Sequence, residues 1–228
     1  MTPVIHIRSF SDDQYWLDKI FNTNSYRVRG FKKEEERPIV VDIGAHCGYF
    51  TITSLALGAK RVYSFEPYLD NFKMLIKNLS ENPFAIPHLI SISKDNSGLK
   101  IGHPKSEKSF INYSNLQPVA PSNETLGYFC PSDTLSKILD VYCGKETSID
   151  ILKINIGYQE RDILKEANLS KVQSICGETV LEPEHIPTFK SEMLNKGFIN
   201  SHIISVQEED NKIFFIFSKS EIEKYYNI

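Results

Sequence analysis

The run "VVDIGAHCGYFTI", residues 40–52, constrains this chain more than any other stretch. A short apolar strand breaks into two glycines four residues apart and then into a helical pattern. Strand, glycine turn and helix in that order make a βα unit whose turn can approach a nucleotide. Such a unit needs neighbours of its own kind, because a parallel strand must be covered on both faces.

The remaining chain supplies those neighbours. "SDDQYWLDKIFN" starts with Ser11 and Gln14 at capping-box spacing and carries Trp16, Ile20 and Phe21 near one face, so it is expected to be a leading helix. "KKEEER" is a mixed-sign solvated run before the first strand. The helix after the glycine turn should end near Gly58. "RVYSFEP" reads as the second strand, with Pro67 placed where the next helix can begin. That helix carries an apolar stripe at Tyr68, Phe72, Leu75, Ile76 and Leu79. "AIPHLISIS" is expected to be a single third strand.

The middle of the chain is less regular. "GLKIGH" and "SFINYS" are candidates for an accessory hairpin, and "NLQPVAPSNETLG" reads as a loop. The aromatic side chains Phe110, Tyr113, Tyr128 and Phe129 either pack there or offer a stacking surface for a sugar. "SDTLSKILDVY" is a short helix, after which "IDILKINI", "QERDILKEA", "VQSICGETV" and "PEHIPTFKSEMLNKGF" alternate strand and helix, the last ending at Gly197. "HIISVQ" and "KIFFIFS" flank the polar turn "EEDN" and should close the chain as an antiparallel hairpin. The periodicity supports a doubly wound α/β domain over residues 38–228, preceded by an N-terminal helical extension at 1–37.

The turn also discriminates between nucleotides. In G-x-G-x-x-G the second glycine lets the backbone touch a pyrophosphate and the third lets helix and strand pack closely. Here those positions hold His46 and Tyr49. S-adenosylmethionine has no phosphate and asks only for a tight turn, which Gly44 and Gly48 can supply. Asp42 can hold that turn or bind water near the ligand's ammonium group. Glu66 ends the second strand 24 residues after Asp42, where an acid can accept the hydroxyls of a ribose. NAD enzymes use the same device, so the acid discriminates only together with the turn.

Composition narrows the function classes. With a net charge of -3, 41% hydrophobic and 24% charged residues, the chain has the balance of a globular domain and not that of a dedicated nucleic-acid binder. The four cysteines form no CxxC pair and no zinc spacing, so no metal site is expected and the thiols point to a reducing, cytoplasmic setting. The N-terminus lacks the charged and apolar regions of a signal peptide, and no run nears the roughly 20 apolar residues of a membrane span.

"VVDIGAHCGYFTI", "VYSFEPYLDNFKMLIKNL", "ISKDNSGLK" and "IDILKINIGYQERDIL" resemble the successive motifs of the FkbM family of S-adenosylmethionine-dependent methyltransferases, over roughly residues 38 to 218. The resemblance implies a Rossmann-like methyltransferase fold: a mostly parallel seven-stranded sheet with helices on both faces and a C-terminal antiparallel hairpin. It implies S-adenosylmethionine as cofactor and O-methylation of a sugar or natural-product-like hydroxyl, with a small-molecule or carbohydrate acceptor as partner. It assigns cofactor contacts to Asp42, Gly44, Ala45, Gly48, Thr51, Glu66 and Pro67, and places Ser93 near the adenine.

The fourth-strand motif departs from the family pattern L-K-I-D-V-E-G. Asn155 replaces the usual Asp, Gly157 the usual Glu and Tyr158 the usual Gly, while His46 stands where Asn is common. Two carboxylates are thereby absent from the end of the strand that faces the reactive methyl in this fold. The candidate catalytic residues are His46, Asn155 and Glu178, with Lys153 and Glu160 nearby; His46 has the most suitable intrinsic pKa for a base, near 6.5. The competing expectation is a catalytically degenerate S-adenosylmethionine-binding protein acting as a partner or regulator. An NAD oxidoreductase is disfavoured by His46 and Tyr49, and the charge balance gives no support to an RNA methyltransferase.

Overall fold

The computed structural model describes residues 4–94, 98–102, 127–157, 159–207 and 211–228. A seven-stranded sheet forms its centre. The strands are β1 (Ile39–Ile43), β2 (Arg61–Phe65), β3 (Ala85–His88), β8 (Ile149–Ile154), β9 (Val172–Val180), β10 (Asn200–Gln207) and β11 (Lys212–Ser218), in the order β10-β11-β9-β8-β1-β2-β3. Neighbours from β3 across to β9 run parallel, and β11 lies antiparallel between β9 and β10. The sheet is therefore the Rossmann-like methyltransferase arrangement with its closing antiparallel hairpin.

Chain order reverses between β1 and β8, which makes their carboxyl ends the crevice where ligands of such sheets bind. All five residues of β1 are buried, as a central strand covered on both faces requires. On one face, Val41, Leu152, Ile175 and Phe215 pack with α4 (Leu135–Lys137), α5 (Glu160–Glu166) and α6 (Ile186–Asn195). On the other, Val40, Ile151, Cys176 and Ile216 pack with Phe50 of α2 (Tyr49–Ala56), with Tyr225 and Tyr226, and with Ile20, Tyr26, Val28 and Phe31. The segment before residue 38 thus contributes side chains to the second core.

Several local expectations are corrected. The leading helix α1 (Asp13–Leu17) continues as a π-helical turn over Asp18–Asn22. Its N-cap residue is Asp12, with no side-chain cap bond, while the Ser11 hydroxyl donates to the Arg8 carbonyl and accepts the Asp13 amide at 3.3 Å. Helix α3 (Leu69–Leu79) begins two residues after Pro67, because Tyr68 is still extended at ψ 119°. Its stripe is narrower than the sequence pattern: Leu75 and Leu79 pack on Ala45 and Ile52, whereas Ile76 is turned outward and 43% exposed.

"AIPHLISIS" splits into β3 and β4 (Ser91–Ile92), and β4 leaves the main sheet to pair with β7 (Ser132–Asp133). Strand β5 (Leu99–Gly102) pairs antiparallel with β6 (Gly127–Cys130). Tyr128 and Cys130 of β6 pack with Ile101 and Tyr68, which ties this small hairpin to the start of α3. "SFINYS", with Phe110 and Tyr113, and all but the last residue of the proposed loop lie outside the described residues. Among the described residues, no helix is long and apolar enough to cross a membrane.

Candidate functional site

The turn after β1 bends through three left-handed residues, Gly44 (φ 75°), His46 (φ 53°) and Gly48 (φ 89°). Four of its amides bond inside the protein. Those of Gly44 and Ala45 donate to the Phe65 carbonyl at 3.0 Å each, that of Gly48 to Ala45 at 2.8 Å, and that of His46 to the Glu66 carboxylate at 2.8 Å. Tyr49 and Thr51, in the first turn of α2, are fully buried. The turn is therefore laced to the end of β2 and is not arranged as a cradle for a pyrophosphate, whose binding draws on such amides.

Gly44 has a packing role as well as a conformational one. A Cβ there would lie 2.0 Å from the Asn155 carbonyl oxygen, at the end of the neighbouring strand. The first and fourth strand ends thus meet backbone to backbone.

Asp42 is wholly buried beneath the turn. Lys153 Nζ lies 3.0 Å from its Oδ1, and Thr51 donates its hydroxyl to Oδ2 at 2.8 Å. Thr51 shares a further hydrogen bond with Ser64 at 2.7 Å. Lys153 also donates to the carbonyls of Ile43 at 3.2 Å and Gly44 at 2.8 Å, with the Tyr26 and Phe50 rings 5.7 and 5.8 Å away. A buried charge needs a partner and further hydrogen bonds, and this cluster provides both. Asp42 thus contacts the turn through Lys153, which bonds the Ile43 and Gly44 carbonyls.

Glu66 is 5% exposed. Its Oε2 accepts the His46 amide, and its Oε1 accepts the Tyr68 amide at 2.9 Å and the Asn71 side-chain amide at 3.2 Å. Burial raises its pKa, and these donors oppose the rise. A carboxylate has about four acceptor positions, so three protein donors leave about one for a ligand, on Oε2. Pro67, next in sequence, accepts a hydrogen bond from the Tyr128 hydroxyl, which itself accepts the Leu69 amide. Ala45 is buried in the turn. Ser93 is half-buried and donates its amide to the Asp133 carbonyl at 3.1 Å, at the end of the small β4–β7 sheet.

The His46 ring points inward. Its side chain is 16% exposed, and its two nitrogens have no hydrogen-bond partner among the described residues. Nε2 lies 4.0 Å from Asp13 Oδ1. Burial pushes the imidazole pKa down to about 4, although Asp13 opposes the shift, so the ring is neutral at pH 7. Asp13, His46 and Cys47 bring donor atoms within 4.8 Å of one another, and Arg8 supplies the positive charge among them. Arg8 forks onto Asp13 (Nη2–Oδ1 2.6 Å, Nε–Oδ2 2.9 Å) and reaches Cys47 Sγ at 3.0 Å. Burial would raise Asp13, but the Arg8 contacts prevail and its pKa is low.

Of the other catalytic candidates, Asn155 follows the last residue of β8, whereas Glu178 lies inside β9, which runs on through Val180, and so does not end that strand. Asn155 donates its side-chain amide to the Tyr26 hydroxyl at 2.9 Å. Glu178 is 3% exposed and held between Lys19 at 2.6 Å and Lys212 at 3.0 Å. Burial works against its charge, but the two ammonium groups win and its pKa is lowered. Glu160 is buried, with Oε1 accepting the Ile156 amide at 2.7 Å and Oε2 the Thr179 hydroxyl at 2.9 Å. Gly157 adopts φ 112° with nothing within 4 Å of where its Cβ would be. Tyr158 lies outside the described residues.

Sequence reasoning missed Arg8, Asp13, Asn71 and Asn78. One signal was available: Asn71 occupies the buried stripe four residues before Leu75, where an unpaired amide would be costly.

The family model for the methyltransferase FkbM domain matches residues 42–212. Among curated proteins, no relative matches. TrmK from M. capricolum, solved with its natural cofactor product S-adenosyl-homocysteine, is similar with a TM-score of 0.52 at 11% identity, over 88% of this chain and 69% of its own. The fibrillarin pre-rRNA processing protein of Methanococcus jannaschii gives 0.51 at 13% identity, over 88% and 75%. These two likenesses show the fold. A turn with committed amides beside an acid with acceptor capacity fits an adenosine ligand that carries no pyrophosphate, and the cofactor is S-adenosylmethionine. The chain belongs to the FkbM family of S-adenosylmethionine-dependent methyltransferases.

Proposed function

We propose that this methyltransferase acts on a hydroxyl group of a sugar or natural-product-like small molecule, with His46 as the proton acceptor. The supporting observation is a neutral imidazole in the nucleotide turn whose buried nitrogens are unpartnered among the described residues, so that accepting the proton requires the ring to turn towards the acceptor. When bound, S-adenosylmethionine supplies an electrophilic methyl group and leaves as its thioether. A hydroxyl oxygen that takes up that methyl group must release its proton, and His46 can receive it. A base of low pKa suffices late in such a transfer, when the alkylated oxygen has become strongly acidic. Glu66 would hold a ribose hydroxyl through Oε2, while Asp42 and Lys153 keep the turn in place. Ser93 would lie on the adenine side of the cofactor. Four buried free thiols suit a reducing, cytoplasmic setting.

The test is a panel of hydroxylated acceptors, with release of S-adenosylhomocysteine and the site of methylation both followed. The reading expects methyl groups on oxygen, and a loss of about 10²- to 10⁴-fold in kcat for His46→Asn with cofactor affinity retained. Methylation at nitrogen, or undiminished turnover in His46→Asn, contradicts it.

A second reading, a cofactor-binding partner or regulator without turnover, has its own observation. The acids at the fourth strand end are replaced, Asn155 is tied to Tyr26, and Glu178 is neutralised by two lysines. Tight cofactor binding without turnover on the whole panel supports that reading.

A further inference from the structure

The N-terminal strap is hydrogen-bonded to the carboxylate at the end of β2. Arg8 Nη1 donates to Asn71 Oδ1 at 2.8 Å, and Asn71 Nδ2 donates to Glu66 Oε1 at 3.2 Å. We propose that Arg8 and Asn71 are positioning residues for the cofactor's ribose: the strap aims Glu66 through the Asn71 amide and so sets cofactor affinity. This rests on the reading that Glu66 accepts a ribose hydroxyl.

The order of groups follows from donor and acceptor chemistry. An Asn side chain offers an acceptor on one side and donors on the other. The Arg8 guanidinium can only donate, so it holds Oδ1 towards itself and turns Nδ2 towards the carboxylate. A flipped amide would set two acceptors against each other at Glu66 and two donors against each other at Arg8. Arg8 is in turn fixed by its fork on Asp13, a two-bond geometry that restricts both position and plane. Asp13 is fully buried in α1 and Asn71 is 2% exposed, so the line Asp13–Arg8–Asn71–Glu66 is shielded from water along most of its length.

The strap is pinned to the same helix a second time. The His6 amide donates to Asn78 Oδ1 at 2.7 Å, and Asn78 Nδ2 donates to the carbonyls of His6 at 3.1 Å and Cys47 at 2.9 Å. Asn71 and Asn78 lie seven residues apart on α3, so both face the strap. One of them reaches the glycine turn and the other the ribose acid. Glu66 meets the turn itself through the His46 amide, so the strap, the turn and the acid are joined by hydrogen bonds.

The experiment compares two ligands on the full chain, S-adenosylhomocysteine and its 2′,3′-dideoxyribose analogue, by calorimetry. Wild type is expected to bind the parent compound at least about tenfold more tightly, as for a hydrogen bond to a charged acceptor. In Asn71→Leu and Arg8→Ala, at opposite ends of the relay, that ratio should fall to within about threefold. A merely structural defect lowers the folded fraction for both ligands alike and leaves the ratio unchanged. A retained ratio in either variant overturns the relay while upholding the ribose role of Glu66. A ratio near one in wild type removes that role, and the relay with it.

Discussion

The backbone amide of His46 donates to the Glu66 carboxylate at 2.8 Å. The glycine turn after the first strand and the acid at the end of the second are therefore one unit. A defect in either is expected to reach the other.

Glu66→Ala should weaken cofactor binding about 10- to 150-fold, the range for a hydrogen bond to a charged group. Three protein donors lose their acceptor in this variant, so the apo protein should also melt lower. A loss of about 2–3 kcal/mol corresponds to roughly 5–10 °C for a chain of this size. Glu66→Gln, which keeps one acceptor, should recover most of the melting temperature and little of the affinity. Thermal melts and calorimetry on the two variants separate these effects.

Gly44→Ala should be the more damaging of two glycine replacements in the turn. Its methyl group would meet the Asn155 carbonyl at 2.0 Å, and backbone has little freedom to move aside. The methyl group of Gly48→Ala would meet only Leu75 Cδ1, at 2.7 Å, the end of a flexible side chain. Both also bear the left-handed strain of about 1–2 kcal/mol. Urea unfolding should rank Gly44→Ala below Gly48→Ala by at least about 1 kcal/mol.

His46 should make the fold acid-sensitive. Its folded pKa is lowered to about 4 from 6.5, so between these values the unfolded chain binds a proton that the folded chain does not. Stability therefore rises with pH through that window and falls as pH drops from 6.5 towards 4. From pH 7 to pH 5, wild type should lose about 2 kcal/mol more than His46→Asn. Asn also tolerates the left-handed conformation, so the variant should fold well at pH 7. Urea melts at the two pH values check this, and equal losses would remove His46 as the cause.

Returning the fourth strand end to the family pattern should cost stability at Gly157. Gly157 sits at φ 112°, where Glu is strained, so Asn155→Asp with Gly157→Glu alone should lose about 1–3 kcal/mol. Adding Tyr158→Gly completes the family pattern. Methyl transfer by the triple variant to the acceptor panel then reads the site. A rise of tenfold or more marks a decayed catalytic end. A fall shows Asn155 and Gly157 to be adaptations to one acceptor, and excludes the degenerate-protein reading.

The fold was legible because its strands are short apolar runs set between amphipathic helices, each consistent with its neighbours. The site was legible where chemistry is local: Gly44, Gly48 and Glu66 announce themselves by type and spacing. Arg8, Asp13 and Asn71 did not, because their meaning depends on a strap folding back over α3, with Asn71 63 positions after Arg8. Glu178 was a catalytic candidate by sequence, and Lys19, 159 residues away, with Lys212 neutralises it. The pairing of β5 with β6 was not legible for a related reason: Tyr128 is held by contacts with Tyr68 and Pro67, which no local pattern reveals.

The most direct test of the account is calorimetric titration of the full chain with S-adenosylmethionine, S-adenosylhomocysteine and NAD. The amides of Gly44, Ala45, His46 and Gly48 are committed to Phe65, Glu66 and Ala45, and so cannot serve a pyrophosphate. The account predicts saturable binding of the two sulfur ligands, weakened by Glu66→Ala, and NAD affinity weaker by at least about tenfold. Binding of NAD as tight as, or tighter than, S-adenosylmethionine would contradict it.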